Sequence, residues 1–445
     1  MKILFVSLGC DKNLVDSEVM LGLLRQEGYT FTDNEIEAEI IIINSCCFIQ
    51  DAKEESINTI IQMAEMKKTG VCKALVVTGC LAQRYQEEIK KEIPEVDGIV
   101  GTSAYHEIVD VVEKVLKGGR AEGFQELKNL PKVQAERVIT TGGWYEYLKI
   151  AEGCNKNCSY CIIPKIRGPY RSIPMEELIL QAQQLAGKGV KELILVAQET
   201  TLYGVDLYGE KKLPVLLKKL CQIEGIEWIR VLYCYPEEIT KELIETIKTE
   251  KKICHYLDIP IQHASNRVLK HMGRRTNKEE LRSIIENIRK EIPDIALRTT
   301  LIAGFPGETE EDYKEIVEFV EEMEFERLGV FAYSPEEDTK AAEMEEQVPE
   351  EIKEERRGGL MELQQEIVFD RAQDMVGCTL QVLIEGKLAD ENAYIGRSYM
   401  DAPNVDGYVF VNTMEELLSG DFVKVKITGA LEYDLIGEIE NEFTK

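Results

Sequence analysis

Histidine, long apolar runs and positive charge are all scarce in this chain of 445 residues. Its four histidines are scattered, which excludes a histidine-rich metal site. No stretch approaches the ~20 consecutive apolar residues of a membrane-spanning helix, so no membrane segment is expected. Lysine and arginine number 53 against 81 aspartates and glutamates, a formal net charge of −28. Such a surface repels phosphate backbones, so direct nucleic-acid binding is not expected. Its negative electrostatic field would instead attract a basic protein partner.

The amino terminus carries no export signal of ordinary length. Residues 8–10 mimic a lipoprotein cleavage box, but the apolar stretch 3–8 is shorter than a signal-peptide core and only one lysine precedes it. We therefore expect a buried strand there and a cytoplasmic protein. Thiols stay reduced in that compartment, so the twelve cysteines favour metal binding or catalysis over disulfides.

Strands alternate with helices from residue 1 to about residue 118, which predicts an α/β domain built on a parallel sheet. The predicted strands of this domain are 3–8, 39–44, 74–78 and 98–101. Glycine pairs at both ends of 119–143, with no sustained hydrophobic period between them, predict a linker.

The alternation of strands and helices resumes over residues 144–368. The predicted strands are 147–151, 192–197, 228–233, 256–261, 297–303 and 328–333. Six units are too few for a complete eight-stranded barrel, so we predict a partial (βα)6 barrel similar to a TIM barrel. The acidic segment 336–357 is expected to be a solvated helical connector. Short strands separated by turns over residues 371–443 predict a small five-stranded β-barrel of the oligonucleotide-binding type.

The most specific motif is Cys154, Cys158 and Cys161, spaced C-x3-C-x2-C. It follows the first predicted strand of the partial barrel, at the end where barrel active sites lie. A structural zinc requires four ligands, and no other cysteine or histidine lies between His106 and Cys221. Three thiolates leave a coordination position open, which favours a catalytic iron–sulfur cluster.

A second group consists of Cys10, Cys46 and Cys80, each directly after a predicted strand. The carboxyl ends of parallel strands meet at one edge of a sheet, so we expect these thiols to lie together. The alternative is three separate packing residues, because free cysteine is commonly buried. Cys47 competes with Cys46 for the middle position, and Cys46 is preferred because it directly follows residues 44–45. Five further cysteines are predicted to be packing residues: Cys72, Cys221, Cys234, Cys254 and Cys378.

The first motif resembles the radical S-adenosylmethionine (SAM) superfamily, whose pattern is C-x3-C-x-aromatic-C, with Tyr160 in the aromatic place. The resemblance implies that Cys154, Cys158 and Cys161 hold a 4Fe–4S cluster whose remaining iron binds SAM. One electron then cleaves SAM to methionine and a 5′-deoxyadenosyl radical, and Tyr160 lies against the adenine. The resemblance implies further SAM-pocket residues at other strand ends: Gln198, Gln262, Arg298 and Gly304.

Two three-cysteine groups followed by a small β-barrel resemble the methylthiotransferase family over the whole chain. The resemblance implies that Cys10, Cys46 and Cys80 hold a second 4Fe–4S cluster, which takes part in supplying sulfur. It also implies that the last domain is a TRAM domain that presents the substrate. Members of the family replace C–H by C–S–CH3, using one SAM as radical source and another as methyl donor. We expect a small electron donor such as flavodoxin or ferredoxin.

The family has one branch that modifies adenosine in transfer RNA and a RimO-like branch that modifies an aspartate of small-subunit ribosomal protein twelve. The stretches that resemble the second branch are 7–17, 48–56, 163–171 and 197–201. Ile173 is a departure, because the family often has a second arginine there.

Charge also favours the RimO-like branch. Residues 371–445 hold 6 lysines and arginines against 14 acids, a net charge of −8. An RNA-binding barrel requires a basic groove, whereas acids such as Asp401, Asp406, Glu432 and Asp434 would attract a basic ribosomal protein. An acidic surface that is merely solvated is the plain alternative. A transfer RNA methylthiotransferase and a non-catalytic two-cluster electron-transfer protein remain as alternative functions.

Overall fold

The structure, a computed structural model, describes residues 1–131, 136–389 and 392–440. The described chain forms two parallel sheets and a small closed β-barrel, which confirms the predicted α/β class and architecture. Residues 132–135 of the predicted linker, and 390–391 and 441–443 of the predicted last domain, lie outside the described residues.

The first sheet has six parallel strands in the order β2-β1-β3-β4-β5-β6. They are β1 (Lys2–Ser7), β2 (Thr30–Phe31), β3 (Ile40–Ser45), β4 (Ala74–Gly79), β5 (Gly98–Val100) and β6 (Ala121–Gly123). The helices are α1 (Asp11–Gln26), α2 (Gln50–Thr69), α3 (Cys80–Arg84), α4 (Gln86–Glu92) and α5 (Ile108–Leu116). The isoleucines of β3 are fully buried because helices cover both faces of the sheet. Strand β6 pairs with β5 inside the segment predicted as a linker, so the sheet continues beyond residue 118.

The second sheet has six parallel strands in the order β14-β13-β12-β11-β10-β7, which is an open barrel within the described residues. Its strands are β7 (Tyr145–Lys149), β10 (Glu192–Val196), β11 (Trp228–Val231), β12 (Ile253–Asp258), β13 (Ala296–Ala303) and β14 (Arg327–Ala332), and β8 (Ala151–Glu152) and β9 (Arg171–Ser172) form a separate short pair. The helices are α6 (Ile163–Arg167), α7 (Met175–Gly187), α8 (Val205–Tyr208), α9 (Leu213–Leu220), α10 (Lys241–Thr249), α11 (Asn266–His271), α12 (Lys278–Glu291) and α13 (Glu310–Met323).

A long helix, α14 (Glu350–Asp374), packs beside β14. Leu360, Gln364 and Val368 are buried on it, and Gln364 Nε2 donates to the Phe325 carbonyl at 2.7 Å. The segment predicted as a solvated helical connector, 336–357, is helical only from Glu350 onward, and most of its residues are exposed as expected. The part of α14 that covers an edge of the open barrel follows that segment.

The terminal barrel closes in the order β15-β16-β17-β19-β18. Its strands are β15 (Thr379–Lys387), β16 (Ala393–Arg397), β17 (Val409–Asn412), β18 (Phe422–Ala430) and β19 (Leu435–Ile439). Val382, Val409, Val411 and Val425 fill its interior, and closure leaves no unpaired edge in this sheet.

This terminal barrel packs against the amino ends of the second sheet's strands. The Glu192 carboxylate at the start of β10 accepts from Arg230 Nε at 2.8 Å and from Arg397 Nη2 at 2.6 Å, and all three side chains are fully buried. Trp228 and Phe422 meet edge to face with ring centroids 4.9 Å apart. A buried ion triad and an aromatic pair therefore join the two domains.

Replacing Glu192 with alanine is expected to lower the free energy of unfolding by about 3–5 kcal/mol, because two buried guanidinium groups lose their shared carboxylate. Denaturant titration measures the change. The control is Glu354→Ala, which removes a half-exposed pair with Arg357 and should cost no more than about 1 kcal/mol. Equal effects in the two variants would contradict a structural role for the triad.

Two acids predicted to attract a basic partner lie buried at the same interface. Asp401 pairs with Arg327, and Asp406 lies 3.3 Å from Arg298 Nε and accepts from Tyr256 Oη at 2.7 Å. The prediction that they attract a basic partner is wrong for these two residues, because they pair with arginines of the partial barrel instead of facing solvent.

Candidate functional site

The cysteine-bearing edge of the first sheet lies over the mouth of the partial barrel. Lys149, at the end of β7, forms an ion pair with Asp16 of α1. Tyr233, just after β11, donates to Asp11 Oδ1 at 3.4 Å, and Lys12 Nζ lies 3.3 Å from the Tyr233 ring centroid. The polar face of α1 thus covers the carboxyl ends of the barrel strands, opposite the terminal barrel.

Cys154, Cys158 and Cys161 lie on one loop between β8 and α6. Cys154 and Cys158 are buried and Cys161 is half-buried. The Cys161 backbone N–H donates to the Cys158 carbonyl at 3.1 Å, which folds the loop back on itself. Burial and, to a smaller extent, the nearby Cys158 thiol raise the pKa of Cys154 to about 11 and that of Cys161 to about 12. The backbone hydrogen bond holds Cys158 and Cys161 next to each other, and metal binding must displace the protons of all three thiols.

The rest of the barrel braces this loop. Ser159 donates its backbone N–H to the Met272 carbonyl at 2.9 Å and its hydroxyl to the His271 carbonyl at 2.8 Å. Gly153 has φ of 79°, and a Cβ there would collide with the Pro169 carbonyl. Gln198 Oε1 accepts from the Gly153 N–H at 2.9 Å, so glycine and glutamine together fix the approach to Cys154.

The second group also comes together. Cys46 and Cys80 are buried and Cys10 is exposed. A Cβ on Gly9, whose φ is 88°, would lie 2.7 Å from Cys46 Cβ, so the turn before Cys10 rests directly on Cys46. Burial and, to a smaller extent, the neighbouring Cys80 and Cys10 thiols raise the pKa of Cys46 to about 12.

Cys47 also lies beside the second group. It is fully buried in the apolar cluster that also contains Cys80; burial and the Cys80 thiol raise its pKa, while the Arg84 guanidinium lowers it. The contact between Gly9 and Cys46 favours Cys46 as the partner of Cys10.

Both donor sets consist of free thiols, and soft thiolate ligands fit an iron–sulfur cluster. In residues 1–131, 136–389 and 392–440, no three Cys, His, Asp or Glu side chains converge closely enough to hold one metal ion. In a 4Fe–4S cluster each thiolate binds a different iron, so its three thiols surround the cluster without meeting at one point.

The residues expected around SAM occupy separate strand ends. Tyr160 meets Phe305 edge to face with ring centroids 6.5 Å apart. Gln262 has φ of 73°, a strained value for a residue with a side chain, and its N–H donates to the Thr300 carbonyl at 2.9 Å. Gly304, with φ of 71°, follows β13 and lies beneath Lys353.

Arg298 has other partners within the described structure. Its Nη1 lies 3.1 Å from Asp258 Oδ1 at the end of β12, and its Nε lies 3.3 Å from Asp406 Oδ1 of the terminal barrel. Arg298 therefore contacts an acid from each of the two domains. A contact of Arg298 with SAM stays a prediction, as it does for the other four residues.

A buried ion network that the sequence analysis did not assign fills the space between the two cysteine groups. Arg167 Nη1 donates to Asp16 Oδ2 at 2.7 Å and to Glu152 Oε2 at 3.1 Å. Its Nη2 donates to Asn13 Oδ1 and lies 3.4 Å from Cys80 Sγ. Sequence spacing gives no signal for this contact, because Cys80 is 87 residues away from Arg167.

Three family models match separate parts of the chain. Residues 2–101 match "Uncharacterized protein family UPF0004", residues 148–320 match the radical SAM superfamily, and residues 376–439 match the TRAM domain.

Full-length relatives decide the family. A protein of Lachnoclostridium phytofermentans named ribosomal protein uS12 methylthiotransferase RimO is 64% identical over 99% of this chain and 100% of its own. A Clostridioides difficile protein of the same name is 51% identical over 99% of both chains. This chain belongs to the RimO methylthiotransferase family. The predicted RimO-like resemblance is therefore confirmed.

A solved structure agrees on the fold of this RimO family member. The radical SAM methyltransferase TsrM from Kitasatospora setae, described with cobalamin and a [4Fe-4S] cluster bound, superposes with a TM-score of 0.55 at 11% identity. The match covers 85% of this chain and 77% of TsrM. None of the helices in the described part of the chain is long and apolar enough to cross a membrane.

Proposed function

We propose that this protein is a radical SAM methylthiotransferase that adds a methylthio group to the β-carbon of an aspartate in ribosomal protein uS12. The observation that carries the proposal is the pair of three-cysteine groups on facing sheet edges, one at the mouth of a partial barrel. Sequence identity of 64% and 51% to RimO-named proteins over 99% of this chain supports uS12 as the substrate. The protein uses SAM and 4Fe–4S clusters.

Cys154, Cys158 and Cys161 would hold the SAM-cleaving cluster, and Cys10, Cys46 and Cys80 the auxiliary cluster. When bound and reduced, the first cluster supplies the electron for radical cleavage of SAM, which an inert aspartate C–H bond requires. The protein's own contribution is to brace the first loop through Ser159 and Gln198. Burial of Cys154 and Cys158 limits the access of water to that chemistry.

Tyr160, Gln198, Gln262, Arg298 and Gly304 are proposed to surround SAM. The electron donor is proposed to be a small redox protein such as flavodoxin or ferredoxin. A ribosomal substrate also supports a cytoplasmic location.

Mass spectrometry of ribosomal proteins and transfer RNA from cells lacking this chain tests the substrate. We expect uS12 to lose the mass of one methylthio substituent and to regain it when the gene is restored. Methylthioadenosine that disappears from transfer RNA, with uS12 unchanged, would support the other branch instead. Reduced protein that never cleaves SAM would support a non-catalytic electron-transfer protein.

A basic substrate should be attracted by acids that remain exposed on the terminal barrel. Glu415 and Glu416 are exposed beside Met414, whose side chain is 83% exposed. We expect Glu415→Lys with Glu416→Lys to slow association with uS12, and 1 M salt to slow wild-type association, because the Debye length falls to ~3 Å.

The control is Glu318→Lys with Glu321→Lys on the exposed face of α13, which changes the total charge equally. Stopped-flow measurement of association with uS12 compares the pairs, and SAM cleavage without substrate should be unchanged in both. Equal association rates in the two variants would contradict local steering by the terminal barrel.

A further inference from the structure

The Arg167 side chain is the physical link between the two cysteine groups. It lies on α6, six residues after Cys161, and reaches across to Cys80 of the first domain at 3.4 Å. It also binds Glu152, which lies two residues before Cys154, at 3.1 Å. One side chain therefore touches a thiol of one group and the chain segment that carries the other.

The ion pairs around Arg167 join two carboxylates and two cations, and a third buried cation, Arg171, donates to the Arg167 carbonyl at 2.6 Å. Asp16 and Glu152 supply two carboxylates, and Arg167 and Lys149 supply two cations, since Lys149 Nζ also pairs with both acids. All four residues are buried, and Arg167 is only 2% exposed. Water therefore screens these charges weakly, and loss of one of them changes the local field.

We propose that Arg167 is a positioning residue that raises the reduction potential of the auxiliary cluster at Cys10, Cys46 and Cys80. The inference rests on the cluster assignment of the proposed function. Net charge and hydrogen bonds to the sulfurs set the potential of an iron–sulfur cluster. Reduction adds negative charge, so a guanidinium beside the Cys80 sulfur stabilises the reduced state.

The two members of the network have opposite expected effects. Arg167→Gln leaves an excess negative charge beside the cluster and should make its potential more negative. Asp16→Asn leaves an excess positive charge and should make it more positive. A purely structural role for the network gives no reason for shifts of opposite sign.

The experiment uses full-length protein with Cys154, Cys158 and Cys161 replaced by alanine, so that only the auxiliary cluster is reconstituted. Anaerobic potentiometric titration followed by electron paramagnetic resonance gives the midpoint potential. We expect each variant to change the reduced-to-oxidised ratio at fixed potential at least tenfold, which is ~59 mV for a one-electron couple.

The matched control is Lys165→Gln on the same helix, which removes an exposed positive charge and should leave the midpoint unchanged. If Arg167→Gln fails to assemble a cluster, a positive shift in Asp16→Asn still supports the proposal. Assembled clusters whose potentials equal the parent's overturn it. A parent protein that binds no iron overturns the cluster assignment itself, and this inference with it.

Discussion

Replacing Cys154, Cys158 and Cys161 together with alanine is expected to reduce 5′-deoxyadenosine formation to the level of an enzyme-free control. Without thiolates on this loop no iron is held at the barrel mouth, so SAM receives no electron there. The measurement is chromatography of 5′-deoxyadenosine and methionine after anaerobic incubation with SAM and a strong reductant. The variant should keep about half of the wild-type iron, because the second group is intact.

Cys221→Ala is the matched control for this prediction. Cys221 is half-buried and lies at the end of α9, outside both cysteine groups, so its loss should leave SAM cleavage unchanged. Cleavage that survives in the triple variant would show that the SAM-cleaving cluster lies elsewhere.

Replacing Cys10, Cys46 and Cys80 together is expected to abolish methylthiolation of uS12 while SAM cleavage continues. The iron content should fall by about half, because these thiols hold the auxiliary cluster alone. Iron analysis, the 5′-deoxyadenosine assay and mass spectrometry of uS12 separate the three effects. An unchanged iron content would contradict the assignment of these three cysteines as ligands of the auxiliary cluster.

The single variants at positions 46 and 47 form an internal comparison. Cys46→Ala should behave like the triple variant, because Cys46 lies against the turn that carries Cys10. Cys47→Ala should keep the cluster, because Cys46 supplies the middle thiol in this assignment. If the Cys47 variant loses the cluster instead, the middle ligand is misassigned.

The sequence by itself was sufficient for the main elements of the fold. The four isoleucines of 40–43 predict a strand buried on both faces, and β3 confirms it. Regular alternation predicts six barrel strands, all of which form, although β12 begins three residues earlier than predicted. Strand β6 was not predicted, because its three residues are too few to show a hydrophobic period. Only their pairing with β5 identifies them as a strand.

Sequence position also indicated where the chemistry lies. The Cys154 group could be predicted directly, because its three thiols share one short loop. The Cys10 group could be predicted through a rule of topology, because parallel strands place their carboxyl ends at one edge. The structure places the first set on one loop and the second after three neighbouring strands of one sheet, and their roles as cluster ligands stay predictions until iron is measured.

Only the tertiary structure decided how the domains meet. From the sequence, Asp401 and Asp406 were expected on an acidic surface. They are buried instead, because Arg327 and Arg298 of the partial barrel lie opposite them. Arg167 likewise gains its significance from Cys80, 87 residues away. Local sequence patterns predict helices and strands, because these depend on residues a few positions apart. Burial of a charged side chain requires a partner of opposite charge, and the fold can bring that partner from a distant part of the chain.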